Sequence, residues 1–351
     1  MSSVSAFSAH YEGKFYRFYT QNRSLTTLAT GAMLLGGLVL LGISSASFAL
    51  HGVSKDAIGM MTGGSVATGL SLWAIKEIKK GKKGTSWKPL GPYRTCHATA
   101  KGDEYHPINQ DRSICEHTGE GVLFGVFDGH GTGGENVASL CQEKVSSYFR
   151  ESYAQNKDAK AAITSAVARL QTETQGLPGG AVMALCYIDD KTKKRTTALL
   201  GDCDIRFYRK QVDGHVQSTT LTKPTDWSHS KESVKVKGNS RYQIQMQNNN
   251  KPRLYDFHVG LGLNFTGSIG DHRHPILNRV PTFQEDTAQQ GDLVIASTDG
   301  ISDYGPQLDH LVQEKWGTSK NLAREAVWKV FCEWHSFHID DRTAVCLFIP
   351  A

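Results

Sequence analysis

The sequence predicts an α+β protein preceded by a two-helix membrane hairpin, and three observations carry that reading. From Tyr93 to Ala351, short β-like runs and helical stretches fall in separate groups rather than alternating as βαβ units. Two uncharged apolar runs, residues 27–50 and 57–75, stand close together near the start. A lysine-rich segment separates them from everything that follows. With 351 residues the chain has room for about two folding units. Its 39% hydrophobic and 21% charged residues exclude wholesale disorder.

Residues 1–26 form a polar N-terminal segment that carries Lys14, Arg17 and Arg23. The run TLATGAMLLGGLVLLGISSASFAL at 27–50 is long enough, as a helix, to cross the roughly 30 Å hydrocarbon core, and AIGMMTGGSVATGLSLWAI at 57–75 just reaches. Gly59 and Gly63 stand in the GxxxG spacing that lets helix backbones approach within a membrane. Ser47-Phe48-Ala49 could pass for a small-x-small cleavage site. The long polar region before it and the second apolar run after it favour a hairpin over a signal peptide or two buried helices. Cationic residues lie on both outer flanks, against only His51, Lys55 and Asp56 in the connection. The positive-inside rule therefore predicts a two-span membrane protein whose N-terminus and following domain are cytosolic.

Residues 76–92 read as a basic linker. The stretch KEIKKGKKGTSWK, Lys76 to Lys88, accounts by itself for the chain's net charge of +5. It lacks the interleaved aromatics of a base-stacking surface, so no nucleic-acid partner is expected. A solvated charge run and a contact with an anionic membrane surface fit it equally. The seven cysteines form an odd set with no CxxC pair, which suggests neither a disulfide framework nor a thiolate zinc site.

Residues 93–351 form the main domain. β-like runs fall at Val122–Phe127, Ala181–Ile188, Thr196–Leu200, Leu293–Ser297 and Ala344–Ile349, and helical stretches around Glu135–Tyr148, Asp158–Gln171 and Asn321–His335. Lys231–Pro252, rich in Gln, Asn and Lys, reads as a surface insertion. Four carboxylate-bearing segments occur at strand ends or loops: Asn109-Gln110-Asp111, Asp128-Gly129-His130-Gly131, Asp299-Gly300-Ile301-Ser302-Asp303 and Asp340-Asp341-Arg342-Thr343. Mg²⁺ and Mn²⁺ take oxygen ligands and commonly keep several waters, so a few aspartates and a backbone carbonyl suffice. GVLFGVF runs directly into Asp128 and LVIAST into Asp299, which places both carboxylates at loop mouths. Taken singly, an Asp-Gly after a strand is most often only a turn.

The order of these segments resembles the metal-dependent serine/threonine protein phosphatases of type 2C, the PPM family. FGVFDGHGTGGENVA is similar to that family's first metal motif, and TTALLGDCDIRFYRK, LTKPTDWSH, TGSIGDH, LVIASTDGISDY and DDRTAVCLF follow in the family's order. The resemblance implies an αββα fold, a β-sandwich of two antiparallel sheets flanked by helices, with two Mg²⁺ or Mn²⁺ ions at one end. It implies that Asp128 bridges both ions, that the Gly129 carbonyl, Asp299 and Asp340 complete the set, and that Asp111 holds metal-bound waters. Asp303 matches a usual ligand of a third ion. Two cations about 4 Å apart activate water for in-line attack on phosphorus, and His130 would protonate the leaving serine or threonine oxygen of a phosphoprotein substrate.

Departures from the pattern accompany these matches. His106 stands where the family usually places the arginine that holds substrate phosphate, and Gln110 replaces an acidic residue. The family's Gly-Ser/Thr-Thr-Ala becomes Gly179-Gly180-Ala181-Val182, with no carboxylate close before it. Gly-Asp-Ser-Arg becomes Gly201-Asp202-Cys203-Asp204, and Asp-Asn becomes Asp340-Asp341. These leave two other readings open: a pseudophosphatase that binds phosphoproteins or a partner without turnover, and a protein whose membrane hairpin is its main functional element. Cys203 reads as a buried thiol, Trp328 and Trp334 as a helix packing face, and His272 and His274 as a surface loop.

Overall fold

The computed structural model describes residues 87–102, 107–222, 227, 231–246, 252–258, 261–330 and 340–350. The chain divides into two units, and these residues fall in the one made of Gly84–Val330 and His338–Ala351. In chain order its elements are β1 (Lys88–Leu90), β2 (Tyr93–Ala100), β3 (Arg112–His117), β4 (Gly121–His130), α1 (Gly134–Asn156), α2 (Ala159–Glu173), β5 (Gly180–Asp189), β6 (Lys194–Leu200), β7 (Asp204–Lys210) and β8 (Val216–Thr220). Then follow α3 (Glu232–Val236), β9 (Tyr242–Met246), β10 (Pro252–Asp256), β11 (Leu261–Leu263), β12 (Ile269–Gly270), β13 (Thr282–Thr287), β14 (Leu293–Ser297), α4 (Asp299–Ser302), α5 (Gly305–Lys315), α6 (Leu322–Lys329) and β15 (Arg342–Phe348).

Two large antiparallel sheets stack face to face. One runs β1-β2-β15-β14-β7-β8, and the other runs β13-β6-β5-β4-β3, with β12 pairing the start of β5. Alternation along β4 and β5 explains the stacking. Val122, Phe124 and Val126, with Val182, Ala184, Cys186 and Ile188, point between the sheets against Ile205, Val294, Ala296, Val345 and Leu347. Leu123, Phe127, Met183, Leu185 and Tyr187 point the other way, into α1 and α2. Both faces are buried, which is why these strands read as unbroken apolar runs rather than alternating ones. On the far side, Leu322, Ala323, Ala326 and Val327 of α6 are buried where that helix packs on β2 and β15. The predicted αββα class is therefore the observed one.

Local differences from the sequence reading have physical causes. The helix expected at Glu135–Tyr148 continues to Asn156 because Phe149 and Tyr153 stack at 5.3 Å and both lie against Tyr187. It stops at Lys157, which turns left-handed, and Asp158 caps α2 by accepting the Ala161 amide at 3.1 Å. The stretch read as an insertion at 231–252 contains α3 and β9 and opens a third sheet, β11-β10-β9. That sheet is tied down by buried Asp256, which accepts Arg241 Nη2 at 2.6 Å and sits 2.9 Å from His274 Nδ1. Lys88–Leu90, within the range read as linker, is already strand β1. Among the described residues no helix is long and apolar enough to cross a membrane. The predicted hairpin at 27–75, and the part of the predicted Asn321–His335 helix beyond Val330, lie outside them.

A cleft has to be left at one end of the sandwich, so the rest of it must pack without slack. Gly125 marks a tight point within it: a Cβ there would meet the Ala184 carbonyl oxygen at 2.1 Å and Leu185 Cα at 2.9 Å. Gly125→Ala should therefore cost about 1–3 kcal/mol of stability, as overpacked cores do. A denaturant midpoint no lower than that of the unaltered chain would contradict this packing.

Candidate active site

Five segments converge at one end of the sandwich. Gln110 and Asp111 immediately precede β3. Asp128, Gly129 and His130 end β4. Asp202 lies in the turn between β6 and β7, Asp299 opens α4 directly after β14, and Asp340-Asp341 precede β15. Central antiparallel pairing brings the strand ends together, because β14 is hydrogen-bonded to both β7 and β15, and β4 to both β3 and β5. A cavity of about 550 Å³ opens there, lined by Asp128, Gly129, His130, Asp202, Asp299 and Asp340 among others.

Hydrogen bonds fix the backs of these groups. Asp111, 2% exposed, accepts the Thr298 hydroxyl at 2.8 Å, and that hydroxyl oxygen in turn accepts the Thr343 amide at 3.0 Å. Asp341 staples the loop: its two oxygens accept the amides of Gly102 at 2.7 Å and Gln110 at 2.6 Å, while its own amide donates to Asp340 at 2.8 Å. Gly300 has to be glycine here, since a Cβ would lie 2.1 Å from the Asp341 carbonyl oxygen. Gly129 likewise lets three backbone segments close up, its missing Cβ being 2.6 Å from the Gly134 carbonyl oxygen and 2.7 Å from that of Gln110. Asn264 donates to Asp202 at 2.8 Å.

The electrostatics are those of crowded, buried acids. Burial first, then the charges of Asp111, Asp299, Asp340 and Asp202, push Asp128 well above the usual carboxylate range. Asp299 is pushed up to about 8 by burial and by Asp202, Asp303 and Asp111, offset in part by its contact with Asp128. Asp111 is pushed up to about 8 by burial, with Asp341 and Asp340 adding to it against the relief from Thr298. One oxygen of Asp111 and one of Asp299 are buried with no hydrogen-bond partner.

Among the described residues no three His, Cys, Asp or Glu side chains surround a common point as metal ligands. The donor chemistry nevertheless fits hard divalent cations: oxygen-only, acidic, with orphaned buried carboxylate oxygens. Mg²⁺, which keeps several of its waters, needs only one or two carboxylates directly. Asp128, Asp299 and Asp340 are the residues that could hold such ions from within the cavity.

His130 has a fixed setting. Its Nε2 lies 2.6 Å from Asp271 Oδ2, its ring is tilted against Phe265 at 4.3 Å between centroids, and its Nδ1 is buried without a partner. Burial alone would raise Asp271, but His130 and the Ser268 hydroxyl hold it below the ordinary carboxylate value.

Of the residues singled out from sequence, the structure gathers Asp128, Gly129, His130, Asp299 and Asp340 around one cavity. Asp111 lies close enough to act on Asp128 and Asp299 and also lines a second cavity of about 450 Å³. Asp303 acts on Asp299 from outside the main cavity, and His106 is outside the described residues. Three carboxylates that line the same cavity, Asp202, Asp341 and Asp271, were given no role in the sequence reading. The Gly-Asp pairs at 201–202 and 270–271 and the doubled aspartate at 340–341 were the available signals. Cys203 is fully buried, its thiol pushed up by burial and the neighbouring carboxylates, as expected of an inert thiol. His274 corrects the surface-loop reading: it is 4% exposed and paired with Asp256, while His272 is exposed.

The raised carboxyls set a direction for stability. Asp111 and Asp299 would titrate near 3.8 when unfolded and near 8 when folded, so between these values the native state holds more protons than the unfolded one. Stability of the metal-free chain should be greatest, as far as these groups go, below the lower value and should fall as pH rises toward 8. Calorimetric Tm in chelator should show that decline, Asp128→Asn should flatten it, and Mn²⁺ should restore more at pH 8 than at pH 5. A metal-free Tm that holds level or rises across this window would contradict the electrostatic picture of the cluster.

No protein-family model matches the sequence, and no curated protein matches it. Solved structures do. A serine-threonine phosphatase 2C from Toxoplasma gondii superposes with a TM-score of 0.65 at 17% identity, covering 76% of this chain and 98% of that one. A phosphatase from a pathogenic strain of Toxoplasma gondii gives 0.59 at 15%, covering 76% and 94%. A sex-determining protein of C. elegans gives 0.57 at 17%, covering 96% and 88%. The sandwich and its flanking helices are thus the fold of type 2C phosphatases.

Proposed function

We propose that the chain is a Mg²⁺- or Mn²⁺-dependent protein serine/threonine phosphatase anchored in a membrane by residues 27–75, with its catalytic domain in the cytosol. The observation that carries the enzymatic part is the placement of Asp128, Asp299, Asp340 and His130 around one open cavity in a type 2C fold. Two divalent cations held through Asp128, the Gly129 carbonyl, Asp299 and Asp340, with Asp111 and Asp303 behind, would supply the Lewis acidity that makes water a nucleophile at neutral pH. The chain's own part is positioning and proton transfer. As the water oxygen bonds to phosphorus, the bond from phosphorus to the serine or threonine oxygen breaks, and His130 gives its proton to that leaving oxygen. His106 stands at the position for a phosphate contact, where an imidazole offers less than a guanidinium fork.

Gln110 favours a second reading, a catalytically weak phosphoprotein-binding protein. Its amide nitrogen is committed to the Gly131 carbonyl at 2.9 Å and to Glu135 at 2.8 Å, so a neutral side chain with both amide protons engaged occupies a position that is acidic in most of the family. Phosphopeptide hydrolysis by the full-length chain with and without Mn²⁺ separates the two. Metal-dependent turnover that falls at least about a hundredfold in Asp128→Asn is expected of the enzyme. Metal binding by calorimetry without turnover selects the second reading, and absence of both removes the first.

The anchoring rests on hydropathy and flank charge. With single cysteines placed at Ser5, Ser54 and Ser319 in an otherwise cysteine-free chain, the first and last should label from the cytosolic face and Ser54 only from the opposite one. Labelling of Ser54 and Ser319 from the same face would mean that the second run does not cross.

A further inference from the structure

Gly180 is the residue around which His130 and Asp271 meet. In the sheet, Gly180 pairs with His130 of β4 on one side and with Gly270 of β12 on the other. The 2.6 Å bond from His130 Nε2 to Asp271 Oδ2 therefore runs across the space where a side chain at position 180 would rise. A Cβ at 180 would sit 2.2 Å from Asp271 Oδ2 and 2.7 Å from His130 Nε2. Only glycine leaves that bond room, and position 180 is one of the places where this chain departs from the Ser or Thr of the pattern it resembles.

The aspartate is itself held in place. Asp271, 9% exposed, has a left-handed backbone at φ 47°, and its amide donates to the Gly179 carbonyl at 3.0 Å. Its Oδ2 also accepts the buried Ser268 hydroxyl at 2.7 Å. Arg279 clamps the turn, donating to the carbonyls of Asp271 at 2.8 Å and His274 at 3.1 Å and to that of Gly270. A left-handed non-glycine residue is strained, and here the surrounding hydrogen bonds over-determine it. The same strain would be released by letting the loop relax, so its retention points to a use for the bond.

We infer that Asp271 is a positioning residue for His130, seated by Gly180, which holds the imidazole in one orientation at the wall of the cavity, where the ring gives its proton to the leaving oxygen. The inference rests on the phosphatase reading above. Asp271 accepts the Nε2 proton and Nδ1 is buried without a protein partner, so the ring that gives a proton to the leaving oxygen is the imidazolium, protonated at both nitrogens, and it is left as the neutral imidazole. A ring held in one orientation contributes to proton transfer only where the leaving group needs a proton.

The test compares two substrates in the full-length chain. Asp271→Asn and Gly180→Ala should each lower kcat for a phosphoserine peptide by about tenfold or more, within the range general acid catalysis supplies, with KM within about twofold. On p-nitrophenyl phosphate, whose leaving group departs without protonation, the loss should stay under about threefold. Equal losses on both substrates, or an unchanged kcat on the peptide, would overturn the proposal. A nitrogen-15 spectrum of the histidine side chains reads the pair independently of turnover. It should show His130 protonated at Nε2 and that state altered in Asp271→Asn. A spectrum insensitive to Asp271 removes the positioning role even if the enzyme is active. An inactive wild-type chain with a spectrum that does respond would sink the phosphatase reading while leaving the pair intact.

Discussion

Mutual repulsion among buried carboxylates is the constraint on which the rest of this fold turns. Asp111, Asp128, Asp202, Asp299 and Asp340 stand near enough to raise one another's affinity for protons, in surroundings that also penalise their charge. Left to itself such a cluster would push its segments apart. What holds it is backbone: each carboxylate sits at or beside the end of a strand whose neighbours are hydrogen-bonded on both sides, or in a loop stapled to one, as Asp341 staples the amides of Gly102 and Gln110. A stiff frame that keeps acidic groups together is what a cation site requires, because an arriving ion then displaces protons from carboxyls already assembled.

The frame is stiff because its central strands are buried twice. β4 and β5 give alternate side chains to the space between the sheets and to α1 and α2, so sliding either strand by one residue would exchange two apolar faces and re-pack two cores at once. Register at the strand ends is thereby fixed to the residue, and Asp128 can emerge only where it does. The closeness this demands is visible at Gly125 and Gly129, where a methyl group would overlap neighbouring backbone.

Much of this was legible in the sequence, and the limits follow from physics. The runs at 122–127 and 181–188 were visible because double burial makes a strand uniformly apolar. β13, TFQEDT, was not, because it is an edge strand with mostly solvated side chains that owes its place to pairing with β6 and to the Arg195–Asp286 fork at 2.7 and 2.6 Å. β9 and β10 were hidden for a similar reason, in a stretch whose polar composition reads as loop. Within the site, Asp128 and Asp299 were found because each terminates an apolar run. Asp271 lies in a turn of Gly, His and Arg after a two-residue strand, where no periodicity marks it, and only its spatial meeting with His130 gives it meaning.

The departures at 110 and 180 then cease to be independent losses. A carboxylate at 110 would be an acceptor facing two acceptors, the Gly131 carbonyl and Glu135, beside an acidic cluster already short of compensation; the amide donates to both and adds no charge. It thereby ties the segment before β3 to the loop that follows His130. At 180, glycine leaves the room in which the Asp271 carboxylate, in the turn after β12, meets His130 across β5. Both changes act on the same short segment, residues 129–134, one holding its carbonyl and the other its imidazole. Neither alters Asp128, Asp299 or Asp340, so they bear on how the histidine loop is held and leave the carboxylate cluster as it is.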